Sequence, residues 1–218
     1  VELIASDGAL NSLKKTTVSV DRSAVYPPKR LTIPVKGVSY YLFMEGLKGQ
    51  VFITPPIEQM EEEIDVIRNE LNINAIELYG SNPKDLIDAA SMALKKGFDT
   101  IVVSPRYIDS TLEDTVRKVA EVARALEDLR VKSRTASLVL NIATEISIDA
   151  QGLVNGSTYR ERALEFNAVR KDQSYIDRLN GFLRELARVA RSHYAGRLTY
   201  HQVSVEPVKW EDLPLDII

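Results

Sequence analysis

The chain contains no cysteine. Disulfides, thiolate nucleophiles and cysteine-ligated metals are therefore excluded. Its two histidines, His193 and His201, are too few for a histidine-rich metal site, and no cofactor is expected. It has neither G-x-G-x-x-G nor G-x-x-x-x-G-K-[ST], the glycine-rich turns that cradle nucleotide phosphates. No apolar run is long enough to cross a bilayer, so no membrane span is expected. Positive charge is not in excess either. Lys and Arg number 28 against 31 Asp and Glu, a formal net charge of -3, so no global basic field points to nucleic acid. Val1-Glu2-Leu3-Ile4-Ala5 has no basic region ahead of an apolar one, so no signal peptide is expected and the cytoplasm is the expected compartment.

What is present is ordinary globular composition: 218 residues, 44% hydrophobic and 27% charged. The first residue is not methionine. Leu215-Asp216-Ile217-Ile218 reads as the middle of a buried strand, where unpaired backbone is costly. Both features suggest a fragment of a longer protein. Residues 1–36 show no helical period and read as an N-terminal extension or linker. Within them Thr16–Val20 suggests a short strand, and Tyr26-Pro27-Pro28-Lys29-Arg30 an extended tether.

From Gly37 the pattern changes to strand–helix alternation. Gly37–Phe43 reads as a first strand. Pro55-Pro56 opens a helix over 58–71, with Met60, Ile64, Ile67 and Leu71 on one face. Ile73–Tyr79 is a second strand. Pro83 suits the first turn of a helix that runs to Lys96, ended by Gly97. Phe98–Ser104 is a third strand, and Ser110 or Thr111 caps the long helix after it. Leu138–Thr144 is a fourth strand, followed by a polar excursion and a helix over 174–193. Leu198–Val205 is a fifth strand, and Leu213–Ile218 would begin a sixth.

Such alternation implies right-handed crossovers and a parallel α/β sheet. An open doubly wound sheet and a (β/α)8 TIM barrel compete. The turns after strands one to four carry Tyr41, Tyr79, Arg106 with Asp109, and Glu145. Polar and aromatic groups at every carboxyl end suit a barrel mouth better than one phosphate crevice. The expectation is therefore a partial TIM barrel over residues 37–218, with about six β/α units.

Glu145, at the tip of the fourth strand, is the leading candidate for chemistry. It reads either as a cap or ion-pair partner, or as a general acid/base. Arg106 and Asp109 either pair with each other, or Asp109 caps the next helix, or Arg106 orients a carboxylate or binds a sugar hydroxyl. Tyr40, Tyr41 and Tyr79 offer aromatic faces for sugar rings, or fill the core at strand ends. Tyr200, His201, Glu206 and Trp210 lie on and after the fifth strand. Alternation puts Tyr200 and His201 on opposite faces. Arg160, Glu161 and Arg162 read as solvated surface.

The order of these segments resembles a prokaryotic family of glycoside-hydrolase-like TIM barrels, whose members are often labelled abortive phage infection or uncharacterised proteins. The likeness runs from about Gly37 to Ile218. It is sharpest at Glu145, Ser147, Gly152, Gly156, Tyr159 and Arg162. The resemblance implies a retaining, two-carboxylate glycosidase with Glu145 as acid/base. Tyr41, Tyr79, Arg106, Thr144, Tyr200, Glu206 and Trp210 would contact a carbohydrate ligand. Thr144 stands where the larger clan usually has asparagine. Glu77 stands in the neighbourhood of the clan's strand-two arginine. The clan's nucleophile belongs to a seventh strand, which leaves Glu77 and Glu206 as the strand-associated candidates for a second carboxylate. The alternative is a catalytically inactive barrel acting as an interaction or scaffold module, with a role in phage defence. A phosphate-binding barrel is a third, weaker reading.

Overall fold

The computed structural model describes residues 2–6, 13–17, 34–42, 54–133, 136–203 and 205–217. The chain divides into two compact units, Val1–Pro34 and Val35–Ile218. In the first, β1 (Glu2–Ser6) and β2 (Leu13–Thr17) pair antiparallel, with Glu2 opposite Thr17 and Ser6 opposite Leu13. The expected strand at 16–20 overlaps β2 only at its end. Residues 18–20, and the expected tether at Tyr26–Arg30, lie outside the described residues.

The second unit is built on one parallel sheet. Its strands are β3 (Gly37–Tyr41), β4 (Ala75–Gly80), β5 (Thr100–Pro105), β6 (Ser137–Thr144) and β7 (Arg197–His201). They lie side by side in chain order, all parallel. Between them run α1 (Ile57–Asp65), α2 (Pro83–Lys95), α3 (Leu112–Lys132), α4 (Ile146–Asp149), α5 (Tyr159–Val169) and α6 (Gln173–His193). α1 continues into a π-helical turn, Val66–Glu70, which ends the expected 58–71 helix and leaves Leu71 exposed.

The helix starts follow from their caps. The Asn82 side chain accepts from the Lys84 backbone N–H, and Pro83 fills the first position, where a missing N–H costs nothing. Thr111 accepts from the Asp114 backbone N–H to start α3. Leu86, Ala89 and Ala93 of α2, Val119, Val122 and Leu126 of α3, and Leu179, Leu183 and Leu186 of α6 are buried at helical spacing. They meet the alternate strand residues Ile76, Leu78, Ile101, Val103, Leu138, Leu140 and Leu198 in one hydrophobic core.

This topology corrects the expected barrel. Five strands lie in one open sheet, and β3 and β7 are its edges rather than neighbours. A (β/α)8 barrel closes through eight strands, and nothing pairs β7 with β3. No sixth strand forms among the described residues: a 3-10 turn at Trp210–Asp212 and an irregular stretch occupy that region. Its backbone N–H groups at Asp216 and Ile217 both bond to the Leu198 carbonyl, which is not a ladder. Nor is the sheet doubly wound. Each strand pairs with the next in chain order, so every right-handed crossover steps the same way and puts its helix on the same face. The neighbours are accordingly α1 with α2, α2 with α3, and α3 with α6.

Among the described residues of this unit, no helix covers the other face of the sheet. It carries Ser39 and Tyr41 from β3, Glu77 and Tyr79 from β4, Val102 and Ser104 from β5, Asn141 from β6, and Thr199 and His201 from β7. The face is curled. β4 and β7 are three strand spacings apart, about 14 Å on a flat sheet, and upright side chains would keep that separation. The Tyr79 and His201 rings nevertheless stand 6.0 Å apart, centre to centre. Among the described residues no helix is long and apolar enough to cross a membrane.

Candidate functional site

The carboxyl ends of β3 to β7 gather two connected sets of polar groups. The first is centred on Glu145. Glu145 follows the last residue of β6 and has φ 44°, the left-handed conformation that a side chain bearing a Cβ seldom adopts. Its backbone N–H bonds to the His201 carbonyl at the end of β7. Its own carbonyl accepts from Ile148 and Asp149, which winds the short α4. The strained residue thus turns the chain from strand to helix and leaves the carboxylate at the carboxyl end of the sheet, about one quarter exposed. Strain of this kind costs on the order of 1–3 kcal/mol and concentrates at functional positions.

Arg106 follows the end of β5, its backbone N–H bonded to the Gly80 carbonyl. Its guanidinium donates to Glu145 Oε2 at 2.9 Å and to both oxygens of Asp149 at 2.9 and 3.2 Å. Arg106 and Asp109 do not pair with each other. Arg106 joins Glu145 and Asp149, while Asp109 pairs with Arg162. Asp149 is 1% exposed, and burial pushes its carboxyl up to about 7 against the pull of Arg106. Two carboxylates share one cation there, so retaining both charges is costly. Asp149 is closed to ligand and acts on Arg106.

Arg162 overturns the expectation of a solvated cluster. It is fully buried. Its guanidinium donates to the carbonyls of Ile148, Asp149 and Gly156 and pairs with Asp109. It therefore clamps the loop that carries Glu145 and Asp149. Helix α5 places it, started by a capping box in which Thr158 and Glu161 bond reciprocally. The Thr158-x-x-Glu161 spacing was the available sequence signal.

The second set lies on the uncovered face. Tyr41 and Tyr79 are opposite residues on adjacent strands, and their rings stack 4.8 Å apart at 10°. Tyr41 stays 44% exposed while Tyr79 is buried. Ser39 and Ser104 donate to the two oxygens of Glu77, at 3.2 and 2.7 Å. The Tyr79 hydroxyl bonds to His201 Nδ1, and Glu77 lies 3.9 Å from that nitrogen. Asn141 donates to Ser104 and Thr144 and accepts from the His201 backbone N–H. A bulge makes this possible. Between Asn141 and Thr144 β6 advances one residue more than β7, which turns Thr144 to the side of Asn141. An open depression of about 210 Å³ beside Glu77 is lined by Gly37, Ser39, Ala75 and Val102. Gly37 and Ala75 begin β3 and β4, so the depression lies toward the amino ends of these strands, and it is smaller than the roughly 300–1,000 Å³ of pockets that enclose a whole ligand.

Three expected ligand residues fall elsewhere. Tyr200 lies on the helix face of β7, and its hydroxyl donates to Glu206 at 2.6 Å. Glu206 is buried and accepts from the Ser147 hydroxyl and backbone N–H as well. Burial raises its pKa, and its donors hold it in place. Tyr200 is kept off the uncovered face because residues of one strand alternate between faces, and Glu206 follows it to the helix side through their hydrogen bond. Trp210 packs against Tyr200, ring centres 6.0 Å apart. Of the two candidates for a second carboxylate, Glu206 is thus internal and Glu77 faces the open side. Among the described residues no three acidic or imidazole side chains gather as metal ligands. Compared with known proteins, the chain matches no family model and no curated protein.

Proposed function

We propose that the protein binds a carbohydrate along the uncovered carboxyl-end face of its sheet and hydrolyses a glycosidic bond with Glu145 as general acid/base. The observation that carries this reading is Glu145 itself. It is a partly exposed carboxylate on a strained backbone, held by Arg106, at the edge of a face bearing two stacked tyrosines and a row of hydroxyl, amide and imidazole groups. Aromatic faces match the C–H face of a pyranose. Paired hydrogen-bonding side chains suit its hydroxyls.

The test is turnover of a panel of aryl glycosides and oligosaccharides by wild type and Glu145→Gln. Loss of a general acid/base lowers kcat by about 10²- to 10⁴-fold, with binding retained. Equal turnover by the two proteins would remove Glu145 from the mechanism.

One observation favours a non-catalytic binding module instead. Glu77, the carboxylate on the uncovered face, is already occupied by Ser39 and Ser104, and Asp149 is closed to ligand. A two-carboxylate mechanism needs both groups flanking the bond, about 5–9.5 Å apart. Glycoside binding without turnover by wild type would establish this second reading.

A further inference from the structure

We propose that the depression beside Glu77 binds an organic ammonium group, with the Glu77 carboxylate as its acceptor and the depression as the seat of its apolar body. The site does not depend on the carbohydrate reading above; an amino sugar would join the two.

Strand register builds the site. Gly37 stands opposite Ala75, Ser39 opposite Glu77, and Tyr41 opposite Tyr79. All lie on the uncovered face, because alternate residues of a strand share a face. Gly37 and Ala75 carry little or no side chain, so the face sinks where they meet. Ser39 and Glu77 border the hollow, and Val102, opposite Glu77 on β5, lines it as well. Past Glu77 stand the stacked Tyr41 and Tyr79 rings. Among the described residues, Glu77 is the one charged residue that lines the hollow.

Glu77 has neutral donors and no fixed cation. Ser39 donates to Oε2 at 3.2 Å and Ser104 to Oε1 at 2.7 Å. A carboxylate oxygen accepts more than one hydrogen bond, so each keeps an acceptor position. Among the described residues no lysine or arginine pairs with Glu77. The basic group that reaches it is His201, whose Nδ1 is 3.9 Å away and already bonded to the Tyr79 hydroxyl. The Glu77 side chain is 25% exposed, which leaves it open to a small ligand. A carboxylate partly withdrawn from water gains more from a cationic donor than from a neutral one. A primary ammonium supplies three donors, and its carbons would rest on Gly37, Ala75 and Val102.

The test is titration of the whole chain with n-butylammonium and with 1-butanol, followed by backbone ¹H–¹⁵N shifts. Butylammonium should move the Gly37, Ser39, Glu77 and Val102 amides at concentrations where butanol leaves them still. Glu77→Gln keeps the side-chain shape and should weaken butylammonium at least roughly tenfold, the worth of a hydrogen bond to a charged group. Gly37→Val should weaken butylammonium and spare the smaller methylammonium, because it fills the hollow. The backbone admits that change, since a Cβ at Gly37 meets the Ala75 Cβ at an ordinary 3.6 Å. The wild-type comparison decides the matter even where a variant does not fold. Equal shifts from butanol, or unchanged binding in Glu77→Gln, overturn Glu77 as the acceptor. Shifts confined to amides away from the hollow overturn the site. Methyl glucosaminide against methyl glucoside separates the two sources of the ammonium. Shifts at the hollow from the glucosaminide alone support the site and join it to the carbohydrate reading. Butylammonium binding without them supports the site for simple amines and separates it from that reading.

Discussion

Asp149 shows how one buried carboxylate can set the behaviour of an exposed one. Arg106 is shared between Asp149 and Glu145, and the two compete for it. Burial raises the Asp149 carboxyl from 3.8 to about 7, despite the bidentate guanidinium. A group whose pKa is higher in the folded than in the unfolded state contributes stability that is present below the unfolded value and lost as pH rises through the folded one. Wild type should therefore lose stability relative to Asp149→Asn between about pH 4 and pH 7, with a constant difference above that range. Urea melts of both proteins across this range measure the difference. If wild type instead gains on the variant as pH rises, the Arg106 ion pair outweighs burial and the assignment fails.

Helix α5 is the element on which the Glu145 loop depends, and its start is tightly specified. Gly156 has φ 135°, and a Cβ there would meet the Arg162 backbone nitrogen at 2.8 Å. Gly156→Ala should destabilise by about 1–3 kcal/mol through strained backbone and displacement of the Arg162 clamp. Thr158→Ala should cost about 1 kcal/mol for the lost cap. Gly181, inside α6 with open space around it, makes the opposite case: Gly181→Ala should stabilise by up to about 1 kcal/mol. Denaturant midpoints decide all three, and equal shifts at Gly156 and Gly181 would refute the distinction. The same element marks the limit of what is legible in the sequence. α2, α3 and α6 declare themselves through apolar residues at helical spacing and polar caps. α5 buries only Arg162 and Phe166, so it has no apolar stripe and reads as solvated charge. Tyr79 and His201 carry no local signal of their contact either, being 122 residues apart and three strands distant. Strand–helix alternation reveals the parallel sheet, but whether a sheet closes depends on edge pairing, which no local pattern encodes.

At the scale of the whole Val35–Ile218 unit, the open sheet implies a gradient of stability from centre to edge. Leu138 to Thr144 of β6 are all buried, and β6 pairs on both sides, with β5 and β7. β4 and β5 are likewise flanked by strands. β3 pairs only with β4, and Gly37, Val38, Ser39 and Tyr41 are exposed. Amide protons in well-buried central strands exchange only on near-global unfolding, whereas an edge strand can detach at lower cost. The face of β3 that would fray carries Ser39 and Tyr41, which bond to Glu77 and stack on Tyr79 and are among the groups proposed to contact the carbohydrate. A ligand bound across β3 and β4 would therefore stabilise the edge by binding only its ordered form. Native-state hydrogen exchange should show β5 and β6 most protected and β3 least, and protection of β3 should rise selectively on addition of a glycoside that binds. Uniform protection across the five strands would contradict the open-edge account. A rise confined to β6 and β7 would place the ligand at the Glu145 end alone.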